Sequence, residues 1–248
     1  MHPTAKAARV AGAIYLGLVL TAPFSLLYVP NKIMVRGDAT ATAANILAHE
    51  TMFRLCIVSE LFSSVIFICL VLALYRLLSP VNKMWAGVMV AFVLVSATVG
   101  FVNVLNEVGA LILVRGGDIL AAIEKPQRDA LAMLFLRINS HGNFINEIFW
   151  GLWLFPFGLL VFRSGFLPRF LGVWLIINCF AYIALSMIAL LTPPYYGTAF
   201  AWAQPFLFGE LAILLWLLIK GAKVPVREGG SHLSPASEGR KLTASPTA

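Results

Sequence analysis

The chain has 248 residues, 60% of them hydrophobic and 12% charged, with a net charge of +7; a soluble globular domain is nearer half apolar and about a quarter charged. Its apolar residues come in long blocks, each near the ~20 residues that cross a bilayer, which excludes an ordinary soluble core and places the chain in the membrane class. Nucleic acid is not implied by the positive charge, because the basic residues sit at block ends and in the tail, with no basic domain to gather them.

Six apolar blocks can be marked in chain order, at residues 10–29, 53–78, 85–114, 131–162, 170–191 and 198–219. Lipid admits only helices or closed barrels, and blocks this long and continuous are helices. The predicted fold class is therefore all-α: an integral membrane helical bundle with six transmembrane helices, short inner loops and two longer outer loops. Lys6 and Arg9 precede the first block as in a signal peptide. Its apolar run exceeds a signal h-region and no clear A-x-A site follows, so it reads as a retained helix. Residues 1–9 form a cytoplasmic N-terminus, residues 10–220 the membrane domain, and residues 221–248, rich in Gly, Ser, Pro and charge, a disordered cytoplasmic tail.

Orientation follows from the basic residues. With both termini inside, the inner segments hold Lys6, Arg9, Arg76, Lys83, Arg163, Arg169, Lys220, Lys223, Arg227, Arg240 and Lys241, eleven of the eighteen Lys and Arg. The positive-inside rule then predicts cytoplasmic N- and C-termini. In the first outer loop, residues 30–50, Asp38 or Thr40 can cap an alanine-rich run lying on the outer face. The loop over residues 115–129 offers Asp118 as a similar cap.

Four glutamates fall inside blocks: Glu60 in the second, Glu107 in the third, Glu147 in the fourth and Glu210 in the sixth. A charge at mid-bilayer costs ~2.5–3.5 kcal/mol on insertion scales, so four of them require a reason. At the helical rise, Glu60 and Glu107 lie about 10 Å below the outer boundary and Glu147 and Glu210 roughly 15 Å below it. In "RINSHGNFINEIFWGLWLFPFG", Asn139, Ser140, Asn143, Asn146, Glu147 and Trp150 share about 120° of helix arc, while Phe144, Ile145, Ile148, Phe149 and Leu152 cover the other side. Ser96, Asn103, Asn106 and Glu107 make a like stripe on the third block, and Cys56, Glu60, Ser63 and Ser64 on the second. The sixth adds Glu210, with Gln204 nearer its start. Polar stripes must face one another or water. They predict a polar pocket between the second, third, fourth and sixth helices, reached from outside, with Glu60, Asn103, Asn106, Glu107, Asn139, Asn143, Asn146, Glu147 and Glu210 as its candidate ligand-binding residues. The competing reading is interhelical hydrogen-bond glue, with the outer glutamates paired to Arg54 or Arg137. Arg137 and His141 fall off the stripe, near the interface.

The three cysteines, Cys56, Cys69 and Cys179, have no paired spacing and read as packing residues. No histidine pair stands at ligand spacing, and neither a metal nor a cofactor is expected. There is no G-x-S-x-G, H-E-x-x-H or Walker loop, so no catalytic residue is assigned. Nor does the chain show the inverted repeat of many transporters.

"ATAANILAHETMFRLCIVSEL", "LYRLLSPVNKMWA" and "FRSGFLPRFLGVWLIINCFAYI" together resemble a bacterial family of multi-pass membrane proteins known as a domain of unknown function (DUF4386). The resemblance runs from about Ala8 to Lys220. It implies an integral protein of a bacterial inner membrane and an acid at the position of Glu60, where an aspartate is common in the family, and brings no substrate, cofactor or catalytic residue. By their own chemistry, "SPVNK" and "RSGFLPR" are tight turns anchored by basic residues at the headgroups.

Three functional readings stay open: an acidic, outward-opening pocket that binds or moves a small cationic or amphipathic molecule, with proton uptake by Glu147 or Glu107; an intramembrane enzyme on a lipid-like substrate, with two glutamates as acid and base; and an accessory protein whose stripes are glue. The expected partners are the lipid bilayer and a small-molecule or lipid-like ligand.

Overall fold

A computed structural model describes residues 3–222. The tail expected over residues 221–248 falls almost wholly outside them. Among the described residues there is no strand, and six helical spans are long and apolar enough to cross a membrane: Thr4–Ile33, Glu50–Leu78, Lys83–Arg115, Lys125–Arg163, Arg169–Leu191 and Pro193–Lys220. The protein is a multi-pass membrane protein. Each span runs past its apolar block, since helix continues through the headgroup zone where polar residues are no longer costly.

Helix ends follow local chemistry. Asp38 accepts from the Ala41 amide at 2.8 Å and caps the short helix Ala39–Ala48. Asn82 accepts from the Trp85 amide at 3.1 Å, so "SPVNK" is both a turn and the cap of the third span. The second outer loop holds only a 3-10 turn, Asp118–Leu120. Gly116 (φ 69°) and Gly117 (φ 126°) break the helix just before it, in a conformation that favours glycine.

Prolines interrupt two spans and are tolerated inside a third. The ring of Pro156 conflicts with the carbonyl four residues back, at Leu152, and the fourth span breaks there into Lys125–Leu152 and Leu154–Arg163. Pro23 ends the first regular helix, and the chain continues as a π-helical turn, Phe24–Tyr28, before Val29–Ile33. Pro205 lies within the sixth span.

Each span packs against the next in the chain, and the sixth returns to the first, so the spans form a closed ring in sequence order. Short turns between antiparallel helices favour this neighbour-to-neighbour order. Glycines bring the backbones close: a Cβ on Gly158 would come 2.6 Å from the Gly172 carbonyl oxygen, and one on Gly12 2.6 Å from the Leu218 nitrogen. Small residues allow such approach where lipid supplies no hydrophobic drive between helices.

The two ends of the ring differ. At the end where the first and last described residues lie, the interior is filled by Leu70, Leu74, Leu78, Met89, Leu160, Leu171 and Leu214. Above them Trp153 stacks on Phe157 with centroids 5.3 Å apart and meets the edge of Phe67 at 5.2 Å, forming an aromatic floor. At the other end the helix Ala39–Ala48 lies over the second, third and fourth spans, its Ala43 and Ile46 packed with Phe53, Ala110, Ala132 and Leu136. Meanwhile Leu20, Phe62, Val102, Leu105, Phe180 and Trp202 point outward and are exposed. An apolar exterior around a polar interior is the pattern of a helical bundle in lipid.

Candidate functional site

Above the aromatic floor the ring is hollow. A cavity of about 320 Å³ takes Tyr15, Glu60, Ser96, Asn146, Tyr182 and Glu210, one residue from each of the six spans. A second, of about 630 Å³, continues toward the loop end; it is lined by Glu60, Glu107, Asn139, Asn143, Glu147 and Tyr196, and reaches Asn31 and Arg36 beside the first outer loop. Glu60, Asn143, Trp150 and Tyr182 line both, so the two adjoin. All four intramembrane glutamates thus stand around one continuous hollow. The pocket expected between four helices is in fact walled by all six, a correction that adds the first and fifth spans.

Two glutamates are held by tyrosines. The Tyr15 hydroxyl donates to Glu210 Oε2 at 2.6 Å, and Asn178 Nδ2 donates to Glu210 Oε1 at 3.4 Å. The Tyr196 hydroxyl donates to Glu147 Oε1 at 2.6 Å, while Glu147 Oε2 is buried with no hydrogen-bond partner. Glu107 is buried as well; its Oε1 lies 3.8 Å from the Cys56 thiol, and its Oε2 has no partner. Cys56 and Glu60 stand one turn apart on the second span and so share a face.

Ion pairing does not neutralise these carboxylates. Among the described residues the salt bridges join Arg54 and Arg115 to Glu50, and Lys125 to Asp129. The pairing of intramembrane glutamates with Arg54 or Arg137, considered from sequence, is therefore absent among the described residues. Arg137 and His141 are exposed, in keeping with an interfacial position.

The expected stripes divide into wall and glue. Asn139, Ser140, Asn143, Glu147 and Trp150 line the larger cavity, and Asn146 and Ser96 the smaller. Several also tie the third span to the fourth. Ser96 Oγ donates to Asn146 Oδ1 at 2.9 Å and Asn146 Nδ2 to the Ser96 carbonyl at 3.2 Å. Asn103 Nδ2 donates to the Asn139 carbonyl at 2.9 Å and to Asn143 Oδ1 at 3.1 Å, and Asn139 Nδ2 returns to the Asn103 carbonyl at 3.3 Å. Asn103 and Asn106 line neither cavity; Asn106 donates to Asn103 Oδ1 at 3.2 Å. Asn103 joins the third span to the fourth rather than lining the cavity, and Asn106 supports it from one turn along the same helix. Phe144, assigned by helical angle to the far side, lines the larger cavity and packs on Tyr196 with centroids 4.7 Å apart.

Sequence reasoning passed over Tyr15, Ser25, Asn178, Tyr182 and Tyr196. A lone polar group in an otherwise apolar block, as with Asn178 in "LIINCF", is a usable signal. Pro23 was another: the π-helical turn it precedes places Ser25 against the second span, where its carbonyl receives the Cys56 thiol at 3.7 Å.

A family profile described as "Domain of unknown function (DUF4386)" matches residues 10–221. A protein of Archaeoglobus fulgidus, described as an uncharacterized protein, is 34% identical over 80 residues, which cover 32% of this chain and 46% of that protein. The chain thus spans about half the length of that relative. No solved structure matches.

Proposed function

The chain belongs to the DUF4386 family, and within it we propose that this member binds a small cationic or amphipathic molecule in its central hollow, from the outer face of a bacterial inner membrane, with both termini cytoplasmic. The observation that carries the reading is the convergence of Glu60, Glu107, Glu147 and Glu210 on adjoining cavities with no ion-pair partner among the described residues. Carboxylates in a low-dielectric interior need a proton or a cation beside them. The unpartnered Oε2 atoms of Glu107 and Glu147 leave room for a donor from a ligand. Leu26, Trp150 and Leu207 line both cavities and Leu18 and Val19 the smaller, an apolar wall that suits an organic cation with an apolar body. Trp150 also offers an aromatic face to a positive charge.

Orientation rests on charge. The filled end of the ring carries Lys6, Arg9, Arg76, Lys83, Arg163, Arg169 and Lys220, and the sequence after Lys220 adds Lys223, Arg227, Arg240 and Lys241; by the positive-inside rule these eleven of the eighteen basic residues favour the cytoplasm for that end, so the hollow end faces out.

The test is a thermal-shift comparison of the purified protein in lipid nanodiscs with amphipathic quaternary ammonium compounds and their uncharged isosteres. The charged members raise Tm in a concentration-dependent way, as ligands that bind only the folded state must. Equal effects of charged and uncharged members would remove the reading.

A further inference from the structure

Cys56 and Glu60 face Glu107 across the boundary between the second and third spans. One ligand atom from each lies within 4.8 Å of the other two. A zinc ion bonded at about 2.0–2.3 Å holds neighbouring ligand atoms roughly 3.5 Å apart. Cys56 Sγ and Glu107 Oε1, at 3.8 Å, are already near that separation. Side-chain torsions of Glu60 can take up the remainder.

A separate observation points to a missing partner. Glu107 is 4% exposed, yet its Oε2 makes no hydrogen bond and no lysine or arginine pairs with it among the described residues. The contacts of the Cys56 thiol, at 3.7 and 3.8 Å, are the weak contacts of sulfur. A buried carboxylate oxygen left in this state is costly, and a coordinated cation would satisfy it.

The donor set selects the kind of cation. Magnesium and calcium prefer six or more oxygen ligands, whereas one sulfur with two carboxylates suits a softer divalent ion. All three residues line the larger cavity, which gives the ion a route in and leaves a fourth coordination position facing open space. We propose that Cys56, Glu60 and Glu107 bind a divalent transition-metal ion of the zinc class in the wall of this cavity. Binding releases to the cavity the thiol proton and the protons that the two carboxyl groups hold without a cation, and joins two carboxylates and one thiolate to the ion. The site draws Glu60 and Glu107 from the same hollow, and its failure leaves the organic-cation reading standing on Glu147 and Glu210.

Cobalt(II) tests it on the full chain in detergent after chelator treatment. The expected result is a sulfur-to-cobalt charge-transfer band in the near ultraviolet that saturates at one ion per chain and is erased by added zinc. Cys69→Ser keeps the band, Cys56→Ser loses it, and Glu107→Gln weakens zinc binding at least about tenfold, a loss that even an outer-sphere change can bring. No band in the wild-type protein overturns the site, whatever the variants do. A band that survives in Cys56→Ser overturns it as well.

Discussion

Tyr15 and Glu210 are 195 residues apart in sequence and joined by a 2.6 Å hydrogen bond in the fold. The bond fastens the first span to the sixth, where the ring closes, and sits in the wall of the smaller cavity. Tyr15 also rests against the aromatic floor, its ring centroid 6.3 Å from that of Trp153. Removing the hydroxyl takes away a buried donor while leaving the packing, so Tyr15→Phe is expected to lower stability by about 1 kcal/mol, in the range of interhelical hydrogen bonds in membranes. Denaturation of the detergent-solubilised variant measures this; unchanged stability would mean that the ring does not depend on that bond for closure.

The Gly158–Gly172 approach makes a sharper stability prediction. Gly158→Ala places a methyl group 2.6 Å from a backbone carbonyl that cannot rotate away, and the cost of such overpacking is about 1–3 kcal/mol. Gly87 has nothing within 4 Å of a Cβ, so Gly87→Ala is neutral or slightly stabilising. Equal melting temperatures for the two variants would contradict the helix packing described.

Asn103 separates glue from ligand wall. It bonds to Asn139 and Asn143 on the fourth span but borders neither cavity. Asn103→Ala should therefore lose about 1 kcal/mol of stability and keep the thermal shift given by a cationic ligand. Loss of the shift at full stability would move Asn103 into the binding wall.

Orientation is checked by reporter fusions at the C-terminus. A green fluorescent protein fused there should fluoresce and an alkaline phosphatase should stay inactive, as both require a cytoplasmic end. An active phosphatase would turn the hollow toward the cytoplasm.

The architecture was largely legible in the sequence, because apolar block length and the scarcity of charge fix the helices and lipid forbids most alternatives. The stripe Asn139, Ser140, Asn143, Asn146, Glu147 was legible for the same reason: helical angle sorts polar from apolar residues before any partner is known. Tyr15 and Tyr182 were hidden because a tyrosine in an apolar block looks like packing until its hydroxyl is seen to reach a glutamate, as it does for Tyr15 at 2.6 Å, and Tyr196 because it lies just before the sixth block, in what reads as a loop. The closeness of Cys56 and Glu107 depends on the rotation of one span against another, which no single-helix periodicity specifies. Phe144 was misplaced because the angular boundary of a stripe shifts where a neighbouring ring, here Tyr196, fills the space beside it.

In the function proposed, the glutamates of the hollow hold a cation. The most direct test is equilibrium binding of an amphipathic quaternary ammonium probe to the nanodisc protein, with wild type set against Glu147→Gln/Glu210→Gln. Saturable binding of one probe per chain is expected for wild type, weakened in the double variant at least about tenfold, or 1.4 kcal/mol. Equal binding to both proteins, or none that saturates in the wild type, would contradict it.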